Sequence, residues 1–248
     1  MRSIKLTLAY DGTAYAGWQY QPDRLSVQEV LQRAIESVTG VAVRPLASGR
    51  TDAGVHALQQ VAGFRTECRL PPAVLKRALN ANLPADVVIL DAEEAPADFH
   101  PIRDVLCKRY RYVIQDGPQR DVFRRAYCWQ IGTPLDAAAM QRAAIALLGT
   151  HDFASFQTAG AERATTIRTI YDLSVRREDL IHIEVEADGF LYNMVRAMVG
   201  TLVEVGRGAR GESWPGEVLQ ACNRRRAGAT APPQGLFLVS VTYRTDEG

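Results

Sequence analysis

The segment Ser26–Gly40, SVQEVLQRAIESVTG, constrains the fold most because it predicts an amphipathic helix with both ends defined. Ser26 and Glu29 have the spacing of a capping box, which satisfies backbone N–H groups at the start of a helix. Gly40 is placed to end the helix, since glycine adopts the left-handed conformation of a C-cap without strain. Apolar side chains recur along one side at Val27, Val30, Leu31, Ala34, Ile35 and Val38. Such a stripe has to be covered, so we expect the helix to pack on a sheet.

Runs with strand-like composition lie on both sides of this helix. Ile4–Tyr10 alternates apolar and polar residues, which is typical of a strand with one buried face. Further strands are predicted at Val41–Leu46, Gln60–Thr66 and Val87–Leu90. A second helix is predicted at Pro71–Leu83, where proline occupies the first turn. Strands and helices therefore alternate through the first part of the chain.

After Pro96 strands and helices begin again, which predicts a second half of similar kind. The polar residues Arg177–Asp179 join two alternating runs, as in an antiparallel hairpin. We therefore predict an α+β fold in two units, residues 1–103 and residues 104–248. The strands predicted in the second unit are Leu106–Ile114, Ala126–Ile131, Ile167–Arg176, Leu180–Ala187 and Gly235–Tyr243. Its predicted helices are Asp136–Leu148, Phe190–Val205 and Pro215–Arg225.

The charged residues leave a nucleic-acid partner open. The formal net charge of the 248 residues is only +1, whereas binding to phosphates needs clustered cations. Basic residues do gather, at Lys108–Arg111, Arg120–Arg125, Arg176–Arg177, Arg207–Arg210 and Arg224–Arg226. Arginine grips phosphate through paired N–H groups and stacks on bases, but it is also common on solvated surfaces. Charge alone therefore supports an RNA-binding surface and a plain solvated surface equally.

The cysteines, histidines and apolar runs exclude several classes of protein. The four cysteines form no CxxC pair, and no histidine has metal-ligand spacing from another histidine or cysteine. We therefore predict that the protein has no metal site. No apolar run is long enough to span a membrane, and the first residues, MRSIKLTL, alternate like a strand and not like a secretory signal. These patterns predict a globular protein of the cytoplasm.

The loop around Asp52, within ASGRTDAGVHALQQVAGF, brings an acid, an arginine and a histidine together between two predicted strands. Gly49 and Gly54 flank the acid and permit a tight turn that exposes it, which suits a reactive group. An aspartate that caps its own turn, with Arg50 as a surface neighbour, is nevertheless the better account of this motif alone.

Two further segments combine polar groups with apolar surroundings. In CKRYRYVI, strand alternation puts Tyr110 and Tyr112 on one face and Arg109 and Arg111 on the other. Aromatics beside arginines can form a base-stacking platform, but an amphipathic strand with buried tyrosines is the simpler interpretation. In FLYNMVRAMVGTLVEVGRG, Arg196 stands among apolar residues, so its guanidinium either pairs with a carboxylate or reaches the helix edge.

Several motifs spread along nearly the whole chain are together far more specific than any one of them. They are GRTDAGVHALQQVAGF, KRYRYVI, FLYNMVRAMVGTLVEVGRG and APPQGLFLVSVTY, with YDGTAYAGWQYQP, NANLP and HDFASF in support. In these motifs the chain resembles the TruA family of tRNA pseudouridine synthases. The resemblance implies an isomerase that converts uridine to pseudouridine in the anticodon stem-loop of tRNA, with no metal and no cofactor.

The resemblance also implies three catalytic residues. The acid of the family falls on Asp52, whose carboxylate either traps the electron-poor sugar covalently or first assists elimination of the base. The aromatic that packs against the flipped target base falls on Tyr110, and its hydroxyl is a candidate for proton transfer. The helix arginine falls on Arg196, which is expected to pair with Asp52 and to keep it ionised.

Further substrate contacts are expected from residues near these three. Arg50 is expected to position the Asp52 loop or to contact the RNA backbone. His56, Arg109 and Arg111 are the remaining substrate-binding candidates.

The fold implied by the resemblance has two ferredoxin-like, or RRM-like, halves that form a continuous antiparallel sheet, with helices packed on it and a central RNA-binding cleft. A homodimer that shares the tRNA is expected. The chain departs from the family at Pro101–Cys107 and at Asn193, where the family often has a histidine. Two other functions stay open. A non-catalytic RNA-binding protein on the same scaffold would not require Asp52, and a carbohydrate-active enzyme would normally need a second carboxylate.

Overall fold

A computed structural model describes residues 1–158 and 165–244, which form two compact units. The first unit contains Met1–Leu106 together with the end of the chain from Phe237, and the second contains Cys107–Leu236. The predicted boundary between residues 103 and 104 lies close to this division. The end of the chain differs from the prediction, because the last strand belongs to the first unit.

The described residues form ten strands and five α-helices. The strands are β1 (Arg2–Tyr10), β2 (Leu46–Ala47), β3 (His56–Thr66), β4 (Val87–Ala95), β5 (Val105–Asp116), β6 (Trp129–Ile131), β7 (Gly149–Asp152), β8 (Ile167–Arg177), β9 (Ile181–Ala187) and β10 (Leu236–Tyr243). The α-helices are α1 (Val27–Thr39), α2 (Pro72–Asn82), α3 (Ala137–Ala144), α4 (Met194–Gly206) and α5 (Trp214–Gln220). Short 3-10 helices lie at Ile145–Leu147, Ala154–Phe156, Arg224–Arg226 and Pro233–Gly235. None of the described helices is long and apolar enough to cross a membrane.

Helix α1 forms as its sequence predicts. The Ser26 side chain accepts a hydrogen bond of 3.3 Å from the Glu29 N–H. Gly40 follows the last turn with a φ of 73° and donates its N–H to the Glu36 carbonyl. The buried members of the predicted apolar stripe are Val27, Leu31, Ala34 and Ile35. The helix, its N-cap Ser26 and its C-cap Gly40 are therefore confirmed, whereas the Glu29 carboxylate pairs with Arg33 and does not return to the Ser26 N–H.

The sheet of the first unit positions the Asp52 loop. Its strand order β4-β1-β3-β2, with the helices α1 and α2, is the β-α-β-β-α-β arrangement of ferredoxin-like folds. β1 pairs antiparallel with both β3 and β4, and its inward side chains Ile4, Leu6 and Leu8 are fully enclosed. β10 pairs parallel with β3 next to His56. The loop that carries Asp52 enters this sheet at the start of β3.

The second unit carries Tyr110 on β5 and Arg196 on α4. Its strand order is β5-β9-β8-β7 with all neighbours antiparallel, and β6 pairs parallel with β5. Helix α3 contacts both β8 and α4, and α4 is buried along most of its length. The predicted α+β class with mostly antiparallel strand pairing is confirmed.

Some element ends differ from the prediction. The strand predicted at Val41–Leu46 is reduced to the short pair Leu46–Ala47. The helix predicted from Phe190 begins only at Met194. Asn193 has a φ of 61°, and this left-handed conformation cannot continue a right-handed helix.

Candidate active site

Asp52 lies in the loop between β2 and β3, and its side chain is partly exposed. The turn after it is closed by a hydrogen bond of 3.1 Å from the Val55 N–H to the Asp52 carbonyl. Gly54 within the turn has a φ of 77°, which glycine adopts without steric strain. Backbone geometry therefore fixes the turn, and Asp52 stands at its start.

A buried polar network lies behind this loop. The Tyr10 hydroxyl is 2.8 Å from Thr51 Oγ1, and both side chains are buried. The enclosed Gln60 side chain donates to the Gly49 carbonyl at 3.0 Å and accepts from Ser48 Oγ at 2.7 Å. Burial raises the pKa of Tyr10 to about 12, so its phenol stays neutral at physiological pH. Neither Tyr10 nor Gln60 is among the residues predicted from the sequence.

His56, the first residue of β3, is enclosed in the first unit. Its side chain is only 2% exposed, and its ring stacks on Phe237 with 4.7 Å between ring centroids. The Gly12 N–H donates to Nδ1 at 3.0 Å, although Asp11 Oδ1 is 3.2 Å from the same nitrogen. Because the N–H needs a lone pair, we assign the neutral imidazole with its proton on Nε2. His56 is thus enclosed in the described fold, and a contact between His56 and RNA stays a prediction.

Arg50 has the opposite environment. Its side chain is exposed two residues before Asp52, and it forms no ion pair with any of the residues that the structure describes. A guanidinium beside the loop that has no such pair can meet a phosphate without first breaking an internal salt bridge. Among the predicted basic contacts, Arg50 is therefore the one with a suitable setting.

Tyr110 and Tyr112 share one face of β5 but differ in their surroundings. Tyr112 is fully buried, and its hydroxyl donates to the Pro232 carbonyl at 2.7 Å, so it belongs to the core. Tyr110 is 8% exposed and meets Phe190 edge-on, with 5.0 Å between ring centroids and an angle of 84°. An edge-to-face pair fixes the plane of the Tyr110 ring. Its role toward a target base stays a prediction.

Arg109 and Arg111 face carboxylates on the neighbouring strands. Arg109 forms ion pairs with Asp172 at 2.9 Å and Glu186 at 3.0 Å, and Arg111 forms one with Glu184 at 2.7 Å. The register of β5 and β9 explains two of these pairs, because each arginine stands directly opposite its glutamate. Two cations against three carboxylates leave this cluster without surplus positive charge. A phosphate contact by Arg109 or Arg111 would have to compete with these ion pairs, and it stays a prediction.

Arg196 lies in the first turn of α4 and is partly exposed. Its Nε donates to the Ala231 carbonyl at 2.7 Å, and its Nη1 donates to Asn193 Oδ1 at 2.8 Å. Asn193 in turn donates to Thr158 Oγ1 at 2.7 Å. The second unit thus supplies acceptors that orient the guanidinium. The predicted pairing of Arg196 with Asp52 stays a prediction.

One surface cluster of the second unit has the composition of a metal site. Ligand atoms of Glu178, Asp179 and His182 lie within 4.8 Å of one another near the β8–β9 hairpin. Asp179 also pairs with Arg124 at 2.9 Å, which lowers the pKa of its carboxyl and competes with a cation. The expectation that the protein has no metal site is left as a prediction.

A family model described as tRNA pseudouridine synthase matches residues 7–102 and 143–244, which is more than half of the chain. The chain belongs to the tRNA pseudouridine synthase family. The family resemblance that the sequence motifs indicated is thereby confirmed. The matched ranges of the family contain Asp52 and Arg196, whereas Tyr110 lies between them.

Relatives that carry the name tRNA pseudouridine synthase A match nearly the whole of this chain. The tRNA pseudouridine synthase A of Thermoanaerobacter sp. (strain X514) is 47% identical over 244 residues, covering 98% of this chain and 100% of that protein. The protein of the same name from Pelobacter propionicus is 48% identical over 244 residues, with the same coverage. A solved Cbf5-Nop10-Gar1 complex is a much weaker match, with 12% identity and a TM-score of 0.34 over 83% of this chain and 55% of that one.

Three residues within the motifs of this synthase family were not predictable as site residues from the motifs alone. Tyr10 is buried like the alternate residues Leu6 and Leu8 of β1, so strand alternation predicts the direction of its side chain. Alternation does not predict that its partner is Thr51. Gln60 is a polar side chain at a fully enclosed position, which only the folded chain reveals. Asn193 precedes α4 in a left-handed conformation, and its contact with Arg196 is seen only in the folded chain.

Proposed function

We propose that this protein isomerises uridine to pseudouridine in the anticodon stem-loop of tRNA. Membership of the tRNA pseudouridine synthase family and relatives named tRNA pseudouridine synthase A over the full length support this reaction. The observation that carries the proposal is the ordered turn that presents Asp52 at the start of β3 within the matched range. Binding alone would not require this acid.

The reaction exchanges one bond of the ribose for another. The bond from ribose to the base nitrogen breaks, the base turns, and a bond forms from ribose to a base carbon. That carbon loses its hydrogen as a proton, and the nitrogen gains one, so the product is an isomer of the substrate. Asp52 is the proposed group that meets the electron-poor sugar, either by covalent attack or by assisting elimination. The pairing of Arg196 with Asp52, which would keep the acid ionised, is proposed from the family resemblance.

Tyr110 is the proposed partner of the target base. Its ring would stack on the base, and its hydroxyl would move the proton at the base carbon. We expect Tyr110→Phe to keep tRNA affinity within about two-fold while turnover falls by about 10²-fold or more, since a positioned acid or base contributes on that scale. Tyr110→Leu should damage both binding and turnover. Filter binding and single-turnover rates separate the two effects, and a Tyr110→Phe variant as fast as the parent would leave only a stacking role.

The contrast between Arg50 and Arg111 gives a test of the RNA contacts. Arg50→Gln should weaken tRNA binding and lower the slope of log affinity against log salt by about one, because one phosphate contact is lost. Arg111→Gln is the matched control, since its guanidinium is already paired with Glu184. Equilibrium binding at several salt concentrations measures both variants. A larger change in the Arg111 variant than in the Arg50 variant would contradict the assignment.

A cytoplasmic location and a homodimer that shares the tRNA are further proposals from the family resemblance. They concern the assembly and not the chemistry of the loop. Sedimentation of the purified chain with and without tRNA measures the subunit number.

A substoichiometric incubation separates the proposed enzyme from an RNA-binding protein. The protein would be mixed with a ten-fold excess of unmodified tRNA transcript, and the nucleosides would be separated by chromatography after digestion. We expect more pseudouridine than protein, because an isomerase turns over. A protein that binds the transcript and yields no pseudouridine would support the non-catalytic alternative.

A further inference from the structure

The segment that leads into Asp52 is held from behind by two buried side chains. Gln60 of β3 contacts Ser48 Oγ at 2.7 Å and the Gly49 carbonyl at 3.0 Å. Tyr10, the last residue of β1, contacts Thr51 Oγ1 at 2.8 Å. Thr51 is the residue directly before Asp52, so the Tyr10 hydroxyl acts one peptide bond away from the acid.

We infer that Tyr10 is a positioning residue of the reaction, because its hydroxyl fixes Thr51 and thereby the direction in which Asp52 presents its carboxylate. The inference rests on the proposed function of Asp52. A group carried on a loop reaches productive geometry only when neighbouring side chains restrict the loop. Tyr10 supplies this restriction from a strand, which is more rigid than the loop itself.

The pairing of β1 with β3 is interrupted where this network begins. Leu8 stands opposite Gln60, but Tyr10 stands opposite Ala57, so the register shifts between Leu8 and Tyr10. Irregularities of this kind redirect side chains and are frequent beside active sites. Tyr10, whose hydroxyl contacts Thr51 on the loop, is the residue at which this shift ends.

The polar atoms of the network converge on the loop. Tyr10 and Gln60 are 4% and 0% exposed, and burying polar groups is unfavourable unless they are hydrogen-bonded. The Gln60 amide nitrogen lies 3.5 Å from the Tyr10 oxygen and 3.0 Å from the Gly49 carbonyl. Two apolar side chains would fill the same space without the cost of burying polar groups. Strand packing alone therefore does not explain why both residues are polar.

The chemistry of Tyr10 fits positioning and not acid-base catalysis. Its burial keeps the phenol protonated, since the pKa is raised to about 12. Its hydroxyl contacts the side chain of Thr51, the residue that directly precedes Asp52. A neutral hydroxyl that does not titrate holds the loop in the same way across the pH range of the enzyme.

The test compares two tyrosines of the first unit that are equally buried. Tyr10→Phe keeps the ring and removes the hydroxyl that meets Thr51. Tyr15→Phe is the control, because Tyr15 is also 4% exposed but its hydroxyl donates to Asp86 at 2.6 Å. We expect kcat of Tyr10→Phe to fall between about ten-fold and a hundred-fold, as a small misplacement of a reacting group does. Its KM for tRNA should stay within about two-fold, and the kcat of Tyr15→Phe should match that of the parent.

A second pair of variants reports on the same hydrogen bond from the loop side. Thr51→Val keeps the shape of the side chain and removes its hydroxyl, whereas Thr51→Ser keeps the hydroxyl. We expect Thr51→Val to lose kcat as Tyr10→Phe does, and Thr51→Ser to retain most of it. This pair reports on the hydrogen bond even if Tyr10→Phe does not fold, and circular dichroism of both Thr51 variants separates a loss of kcat from a loss of folded protein.

Asp52→Asn, assayed with the same tRNA, distinguishes a failure of the Tyr10 inference from a failure of the proposed function of Asp52. If Asp52→Asn is inactive and the kcat values of Tyr10→Phe and Thr51→Val equal that of Tyr15→Phe, the positioning role of Tyr10 is wrong while the proposed function stands. If Asp52→Asn turns over like the parent, the proposed function of Asp52 is wrong. Inactive Asp52→Asn together with a kcat-specific loss in the Tyr10 and Thr51→Val variants supports both.

Discussion

Asp52→Asn is expected to abolish pseudouridine formation while the protein stays folded and binds tRNA. The amide has nearly the same size as the carboxylate, and the turn is closed by the backbone bond from Val55 to residue 52, which the substitution leaves in place. The amide is a far weaker nucleophile and base than the carboxylate. We therefore expect turnover to fall by at least about 10³-fold, the scale on which removal of a reacting group acts.

The control for Asp52→Asn is Asp23→Asn, an exposed aspartate of the same unit. It makes the same change of charge away from the loop, so its turnover should equal that of the parent. Single-turnover rates with saturating protein remove differences in tRNA affinity. An Asp52→Asn rate near that of Asp23→Asn would show that Asp52 is not the reacting acid.

Gly200→Ala is expected to have the largest effect on stability. Gly200 lies on α4 where the helix meets the chain segment around Ala229. A Cβ atom on Gly200 would lie 1.7 Å from the Ala229 carbonyl oxygen, and backbone on both sides prevents a local adjustment. Alanine favours a helix over glycine by about 1 kcal/mol, which offsets only part of the clash. We expect the free energy of unfolding to fall by about 2 kcal/mol or more.

The same substitution should also disturb the acceptors around Arg196. The Ala231 carbonyl, which accepts from Arg196, belongs to the segment that the new methyl group would push away. Gly216→Ala on α5 is the matched control, because its nearest neighbour is the Ala146 Cβ atom at 3.4 Å. Urea unfolding of both variants gives the comparison. Equal midpoints for Gly200→Ala and Gly216→Ala would contradict the close approach of α4 and the Ala229 segment.

The sequence was sufficient where local chemistry determines structure. Helix α1 could be placed with both ends because Ser26, Glu29 and Gly40 act on their own neighbours in the chain. The inward phase of β1 followed from alternation in the same way. The turn at Asp52 could be predicted from its flanking glycines. Its function could be predicted only from the family resemblance, since the same turn also suits a structural aspartate.

The sequence was insufficient where the partner comes from a distant part of the chain. Alternation put Arg109 and Arg111 on one face of β5, but it could not show that β9 brings Glu184 and Glu186 directly opposite. His56 is a substrate-binding candidate from its motif, but the motif does not show that Phe237 of β10 stacks on its ring. Such contacts depend on which strands become neighbours, which composition and spacing do not determine.

Release of tritium from a tRNA transcript labelled at the base carbon of its anticodon-arm uridines tests the central claim most directly. Isomerisation forms a bond at that carbon and must release its hydrogen to water, whereas binding leaves the label in place. We predict that the parent protein releases more moles of tritium than there are moles of protein, because it turns over. Asp52→Asn should release no tritium above background. A parent protein that binds this transcript and leaves the tritium on the base would contradict the proposed isomerase.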